Sequence, residues 1–579
     1  MGRNVDVLEL DLDLHKREVP GDAKWLYDAQ DPSYDLVPDN TTDRDKLIES
    51  RNGAVSSDVE VCSEIGVRLM KRGGNAVDAV IGTAACIGSI NMFASGIGGG
   101  GFAVVRLTGG ESSSFNFREM APKAAHRDMY NGNPSLAQRG GLAFAIPGEV
   151  DGFWQLHQKY GSLPWKELWK PAIRLNKNGF RVTETLAIRI AAEKEYFEEH
   201  RDEWGFLFSE KSGSLLIEGE VMKRPALART LKEIAGKGGL KAFYKGWIAE
   251  SLVRVAREVG GVVTKEDFGE YFTVVEEAVG ARAFGREFVT CGSPCSGPVL
   301  IEALNIAEGL NVMDPSDPVT IHRMIETMKW MSAGRTELGD PTDTEVFNGP
   351  RISELMTLDF AESVRQNISD NTTYPWQHYN PSYELTEPKG TSHINVLDQF
   401  GNAVALTTTV NIYWGALVHD TNTGIVLNSE MDDFSIPGRS NWYNLAPSIY
   451  NYIKPYKRPL SSSAPTIAAE RDGKPGLIIG ASGGSRIVTS VFECIVKSYL
   501  WGYDLLDVVK SPRMHHQLLP EVVKVERGIS EGAIEGLRER GHKVEVVERI
   551  GSVVGAVKRG GDGTIYAVAD WWRKRGVST

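Results

Sequence analysis

A serine flanked by glycines, Gly480-Ala-Ser482-Gly-Gly484, follows an apolar strand-like run and precedes a helix-like one. That strand–turn–helix setting is the one an exposed serine nucleophile needs. Downstream, Asp504, Asp507, His515, His516 and His542 complete a chain order of serine, acid and histidine. The pattern is short, and adjacent glycines at such a turn more often offer backbone N–H groups to an anion. A serine hydrolase using Ser482 is therefore one reading of the chain.

The other polar groups say less on their own. The run GIGGGG (96–101) has no lysine after it and leads into a strand, so close backbone packing explains it better than a phosphate cradle. The 11 histidines show neither HExxH nor paired ligand spacing, so neither a metal nor a cofactor is expected. Read in isolation, Glu430, Asp432 and Asp433 in NSEMDDFSIPG form a solvated acidic turn, Arg118 is a surface arginine at a strand end, and His393 is a structural hydrogen-bonding residue. The hydroxyl clusters at 407–409 and 461–463 suit a strand and a turn.

Those groups depend on the elements that carry them. Residues 1–45 are polar and aperiodic and read as a stem or loose arm. Ser57-Asp-Val-Glu60 has the capping-box pattern ahead of a helix ending near Gly73-Gly74, and AVDAVIGTAACIGSI forms a second helix. In a hairpin pivoting at Gly74, Cys62 and Cys86 lie side by side. The expectation is a disulfide, although spacing alone leaves two buried thiols equally open. FAVVRL and SSFNFRE read as a β-hairpin, residues 150–340 as mostly helical, and 348–390 as an exposed connector. TSHINVLD and AVALTTTVN then alternate as two strands around a turn. Irregular interleaving of strands and helices implies an α+β architecture.

Composition bounds the partners. A net charge of −12 with no basic stripe disfavours nucleic acid. No run of about 18 apolar residues spans a bilayer, and the first 25 residues do not form a signal peptide. The chain is expected to be cytosolic, or to lack a targeting segment that preceded residue 1. Sequons at Asn40, Asn367 and Asn371 fit a secreted chain as glycosylation sites.

Ten motifs in order change these readings: GGNAVDAV (73–80), FASGIGGGG (93–101), FNFREMAP (115–122), RTELGDP (335–341), GTSHINVLD (390–398), GNAVALTTTVN (401–411), NSEMDDFS (428–435), KRPLSSSAPTI (457–467), GASGGSRI (480–487) and SPRMHHQLLP (511–520). From about residue 50 to the C-terminus the chain resembles the gamma-glutamyltranspeptidases, or glutathione hydrolases. The resemblance implies an N-terminal-nucleophile hydrolase with a four-layer αββα sandwich. A precursor would be cut between Gly390 and Thr391 into a large subunit (46–390) and a small subunit (391–579) that stay together as a heterodimer.

It also implies roles. Thr391 is the nucleophile, and its freed α-amine, with a pKa of about 7.7–8.0, is the base that takes the hydroxyl proton. Thr409 orients it, and the Gly483 and Gly484 N–H groups form the oxyanion hole. Arg118 pairs with the substrate α-carboxylate, helped by Ser461 and Ser462. Glu430 and Asp433 hold the α-ammonium, with Asn411 also contacting it. Residues 435–457, with Trp442, Tyr443 and Pro447, resemble the family's lid in a longer, eukaryotic-like form. Cys62 and Cys86 match a disulfide of such members, which implies an oxidising compartment: the secretory route, the cell exterior or a vacuolar lumen, with an N-terminal membrane anchor left open. The chain departs from the family at Ser463, Ser392 and Cys295, and a Cys291–Cys295 bridge is a further expectation.

The expected reaction is a two-step acyl transfer. Thr391 attacks the γ-amide of glutathione or another γ-glutamyl compound, and water or an amino acid or dipeptide takes the acyl group. The alternatives are the Ser482 hydrolase and a non-catalytic glutamate-binding relative.

Overall fold

The computed structural model describes residues 43–383, 390–437, 445–573 and 577–578. Asn40 and the lid residues Trp442 and Tyr443 lie outside them. In chain order the strands that position the site are β1 (Ile48–Ser50), β2 (Ala54–Ser57), the hairpin β3 (Gly100–Arg106) and β4 (Ser112–Phe117), and β5 (Val274–Glu277), β6 (Val279–Ala283) and β7 (Arg286–Thr290). They continue with the hairpin β8 (Ser392–Leu397) and β9 (Ala403–Thr409), then β10 (Thr466–Ala469), β11 (Pro475–Ser482), β12 (Val553–Arg559), β13 (Ile565–Ala569) and β14 (Val577–Ser578). One seven-stranded sheet runs β14-β2-β8-β9-β3-β4-β5, the other β1-β13-β12-β11-β10-β7-β6. Neighbours in both are antiparallel.

Alternation along β9 shows why the sheets stack. Ala403 and Ala405 point into a core shared with Ile467, Ile478 and Val557 of the opposite sheet. Val404 and Leu406 point the other way, into a core completed by helices α1 (Glu60–Lys71), α2 (Ala76–Ile90) and α3 (Glu149–Tyr160). On the far side, Leu477, Ile479 and Ala481 of β11 pack under α4 (Gly297–Glu308), α5 (Pro318–Arg335), α6 (Gly349–Leu355), α7 (Leu358–Gln366) and α8 (Arg486–Tyr499). The result is a four-layer αββα sandwich of the α+β class. Among the described residues no helix is long and apolar enough to cross a membrane.

Three local expectations need correcting. Ser57 does not cap α1. It ends β2, its hydroxyl bonds the Val59 carbonyl and Ser63 Oγ, and the cap residue is Val59. Residues 274–290, inside the stretch read as helical, form three strands. The connector 348–390 holds α6 and α7, which bury Ile352, Leu355, Ala361 and Val364 at helical spacing. Proline near the start of α6 and Thr357 as the cap of α7 are helix-start signals. They gave the segment its loop-like composition.

The α1–α2 hairpin forms as expected, and Cys62 and Cys86 are disulfide-bonded across it with Cα atoms 5.3 Å apart. Cys291 and Cys295 are also bridged. The glycine run presses β3 onto β9. A Cβ on Gly99 or Gly101 would fall 1.9 or 2.0 Å from the carbonyl oxygens of Thr409 and Thr407.

Candidate active site

The β8–β9 hairpin sets Ser392 opposite Thr408, so Thr391 at the mouth of β8 lies beside Thr409 at the end of β9. Gly390 has φ 96°, and a Cβ there would meet the Asn411 carbonyl at 2.4 Å, so only glycine fits. Thr409 Oγ1 donates to the Gly390 carbonyl at 2.5 Å and accepts the Asn411 N–H at 2.8 Å. Asn411, at φ 73°, donates Nδ2 to the Ser429 carbonyl, while its buried Oδ1 has no partner among the described residues. Ser429 N in turn donates to Val410 O. These bonds tie residues 429–433 to the open end of the hairpin, away from its turn.

The acids of that segment are not a solvated turn. Glu430–Asp433 is a 3-10 turn with Glu430 and Asp433 buried. Asn428 fixes its start, accepting the Glu430 N–H through Oδ1 and donating Nδ2 to Gly98 O and Ala145 O. Arg118, just past β4 and also buried, reaches Glu430 Oε1 at 2.6 Å and Asp433 Oδ2 at 2.5 Å. It also donates to Leu460 O at 2.9 Å and Pro459 O at 3.3 Å, which brings it beside Ser461 and Ser462. Ser462 Oγ is buried without a partner among the described residues, and Ser461 Oγ bonds Ser463.

Burial crowds this charge. It pushes Glu430 well above the usual carboxylate range and Glu119 up to about 7, in both cases against the pull of Arg118. Burial alone would lower the Arg118 guanidinium, but Glu430 and Asp433 hold it above its ordinary value. Burial, working against Arg118, thus favours the protonated forms of Glu430 and Glu119. Behind it, burial pushes Glu149 up to about 8, and Thr408 Oγ1 donates to its Oε2.

Gly483 (φ 125°) and Gly484 (φ 67°) turn the chain between β11 and α8 in the left-handed region. A Cβ on Gly483 would strike Gly551 O at 2.5 Å. The His393 ring packs on Gly480 of β11, so the start of β8 lies against the strand that carries this turn. Burial pulls His393 down to about 4, and it bonds Thr407 and Asn395, a structural role. Ser482 is buried in β11, its carbonyl accepting Ser552 Oγ. Of the histidines proposed to serve it, His515 bonds Thr489 and Gln517 through its two nitrogens, and His542 bonds His322.

The trio His322, Glu326 and His542 brings potential metal-ligand atoms within 4.8 Å. These atoms are engaged with one another and with Thr373, Tyr379 and the Lys329 ammonium, whose charge opposes a cation. Sequence reasoning missed Glu119, Glu149 and Asn428. The first and last stand inside the quoted motifs FNFREMAP and NSEMDDFS, where a role for them was open to inspection.

The family profile described as gamma-glutamyltranspeptidase matches residues 62–579. Glutathione hydrolase proenzyme 1 of Schizosaccharomyces pombe is 44% identical over 542 residues, covering 92% of this chain and 85% of that protein. Among solved structures, the cephalosporin acylase from Bacillus halodurans superposes with TM-score 0.82 at 25% identity, covering 95% of this chain and 99% of the other. The Helicobacter pylori gamma-glutamyltranspeptidase superposes with TM-score 0.53 at 30% identity, covering 56% and 94%.

Proposed function

The chain belongs to the gamma-glutamyltranspeptidase family, and from that premise we propose that it cuts itself before Thr391 and moves γ-glutamyl groups with the freed threonine. The observation that carries the reading is the buried cluster of Arg118, Glu430 and Asp433 tied to the Thr391–Thr409 hairpin. A guanidinium and two carboxyls beside one hydroxyl suit a free amino-acid head group better than an apolar acyl chain.

The chemistry follows from the positions. In the uncut chain the Thr391 hydroxyl attacks the Gly390 carbonyl, Thr409 donates to its oxygen, and an N-to-O shift gives an ester that water opens. The new α-amine then takes the proton from the Thr391 hydroxyl as it attacks the γ-amide of glutathione or a related compound. The tetrahedral oxyanion is held by the Gly483 and Gly484 N–H groups. The amine product leaves with a proton, and water or an amino acid or dipeptide resolves the γ-glutamyl ester. The substrate α-carboxylate exchanges with Glu430 and Asp433 on Arg118, aided by Ser461 and Ser462. The displaced acids and Asn411 Oδ1 accept from its ammonium. The bound zwitterion adds no net charge to a buried site.

The α1–α2 disulfide supports an oxidising compartment, the secretory route or a vacuolar lumen. Asn367 and Asn371 are exposed, as glycan acceptors must be. The test is a denaturing gel with N-terminal sequencing of the smaller band, and a glutathione product assay with and without a dipeptide. A band starting at Thr391 and release of glutamate support the reading. A fully active intact chain, or one silenced by Ser482→Ala but not by Thr391→Ala, overturns it.

A further inference from the structure

Resting on that reading, the geometry points to Asn451 as a positioning residue that sets the recognition of the γ-glutamyl head group by locking its two halves together. Asn451 ends the short turn Ile449–Asn451 and is 1% exposed. Its Nδ2 donates to the Asp433 backbone carbonyl at 2.7 Å, and its Oδ1 accepts the Leu460 N–H at 2.9 Å. Arg118 Nη2 closes the circuit, meeting the Asp433 carboxylate at 2.5 Å and the Leu460 carbonyl at 2.9 Å. Four residues from four separate stretches of chain thus form one ring of hydrogen bonds. The Ser435 N–H adds a further tie, donating to the Asn451 carbonyl at 3.0 Å.

The ring joins what recognises opposite ends of a zwitterion. On one side stands the acidic turn that faces the ammonium; on the other, Leu460 runs directly into Ser461 and Ser462, which face the carboxylate. Substrate must part Arg118 from its carboxylates, and that removes one link of the ring. The Asn451 bonds, made to backbone, stay in place and keep the two walls at a fixed separation while the charges exchange partners. Only a side chain with a donor and an acceptor on one planar group fills this position. Aspartate keeps the acceptor but turns an oxygen toward the Asp433 carbonyl, and alanine loses both bonds. Serine has one rotating hydroxyl and cannot span the two.

The experiment uses full-length protein carrying Asn451→Ala or Asn451→Asp, with wild type alongside. Self-cleavage on a denaturing gel reports folding and the Thr391 chemistry, and γ-glutamyl anilide hydrolysis gives kcat and KM. The expected result is normal cleavage, a KM raised about tenfold or more, a weakening of inhibition by free glutamate by a similar factor, and kcat within about threefold of wild type. A residue that merely supports the fold would lower kcat, cleavage and thermal midpoint together and leave KM near normal. That outcome overturns the proposal, as does an unchanged KM in cleaved, folded variants. Wild type without γ-glutamyl turnover would instead sink the underlying reading.

Discussion

Thr409 Oγ1 lies 2.5 Å from the carbonyl oxygen of Gly390, the group that must become an oxyanion if the chain cuts itself before Thr391. The same hydroxyl is aimed by the Asn411 N–H, so in the proposed reaction one side chain would serve the scissile bond first and the nucleophile afterwards. Thr409→Ala is expected to slow self-cleavage by about 10²–10³-fold, the usual loss for one oxyanion donor. Thr409→Ser should cleave nearly as fast as wild type. A gel time course on freshly purified precursor checks both, and equal rates for the alanine variant would remove Thr409 from the cleavage step.

Arg118 makes four polar contacts through a planar fork, two of them to carboxylates. Arg118→Lys keeps the charge and loses the fork. Its kcat/KM for a γ-glutamyl anilide should drop about 100-fold, mostly through KM, because the lost contacts exist before and during the reaction. A drop confined to kcat would place Arg118 on the reacting bond instead.

Glu149 predicts a pH dependence of stability. Burial raises its folded pKa to about 8, above the ordinary carboxylate value, so the folded chain holds a proton that the unfolded chain has already released. The stabilisation is present below about pH 4.5 and is lost as pH rises through about 8. Glu149→Gln keeps an acceptor for Thr408 without ionising. Denaturant titrations from pH 5 to 8.5 should show a flatter profile for the variant, and parallel profiles would contradict the assignment.

The sequence made the β8–β9 hairpin legible because strand alternation and a tight turn are local signals. The α1–α2 hairpin was legible for the same reason, its glycine pivot standing between two apolar runs. The meeting of Arg118 with Glu430 was not. They come from opposite sides of the proposed cut, and no spacing rule reaches that far, so each looked like an ordinary surface charge until the motif resemblance gave it a role. α6 and α7 were hidden by their own caps, since Pro350 and Thr357 read as loop residues until the buried face between them is seen. Ser57 failed differently. A capping-box pattern was present, but pairing with β14, Ser57 opposite Val577, claimed the residue for a strand.

The Cys62–Cys86 bridge closes a loop of 24 residues between two packed helices. Chain-entropy reasoning gives such a bridge about 3 kcal/mol. Paired Cys62→Ala and Cys86→Ala substitutions should lower the thermal midpoint while leaving KM unchanged, because the bridge lies among helices outside the site. An altered KM would show that α2 transmits strain to the hairpin it covers.

The strand orders have a consequence for what a break at Thr391 produces. β8 and β9, from beyond the break, are sandwiched between β2 and β3, from before it, and β10 to β13 are likewise flanked by β1 and β7. The two polypeptides that such a break would leave are woven through each other like the teeth of a closed zip, with backbone ladders on both sides of the seam. Neither can leave without melting its neighbour. Two bands under denaturing conditions should therefore migrate as one particle in a native column, and recombining fragments that were purified apart should fail or proceed at a rate set by their concentration.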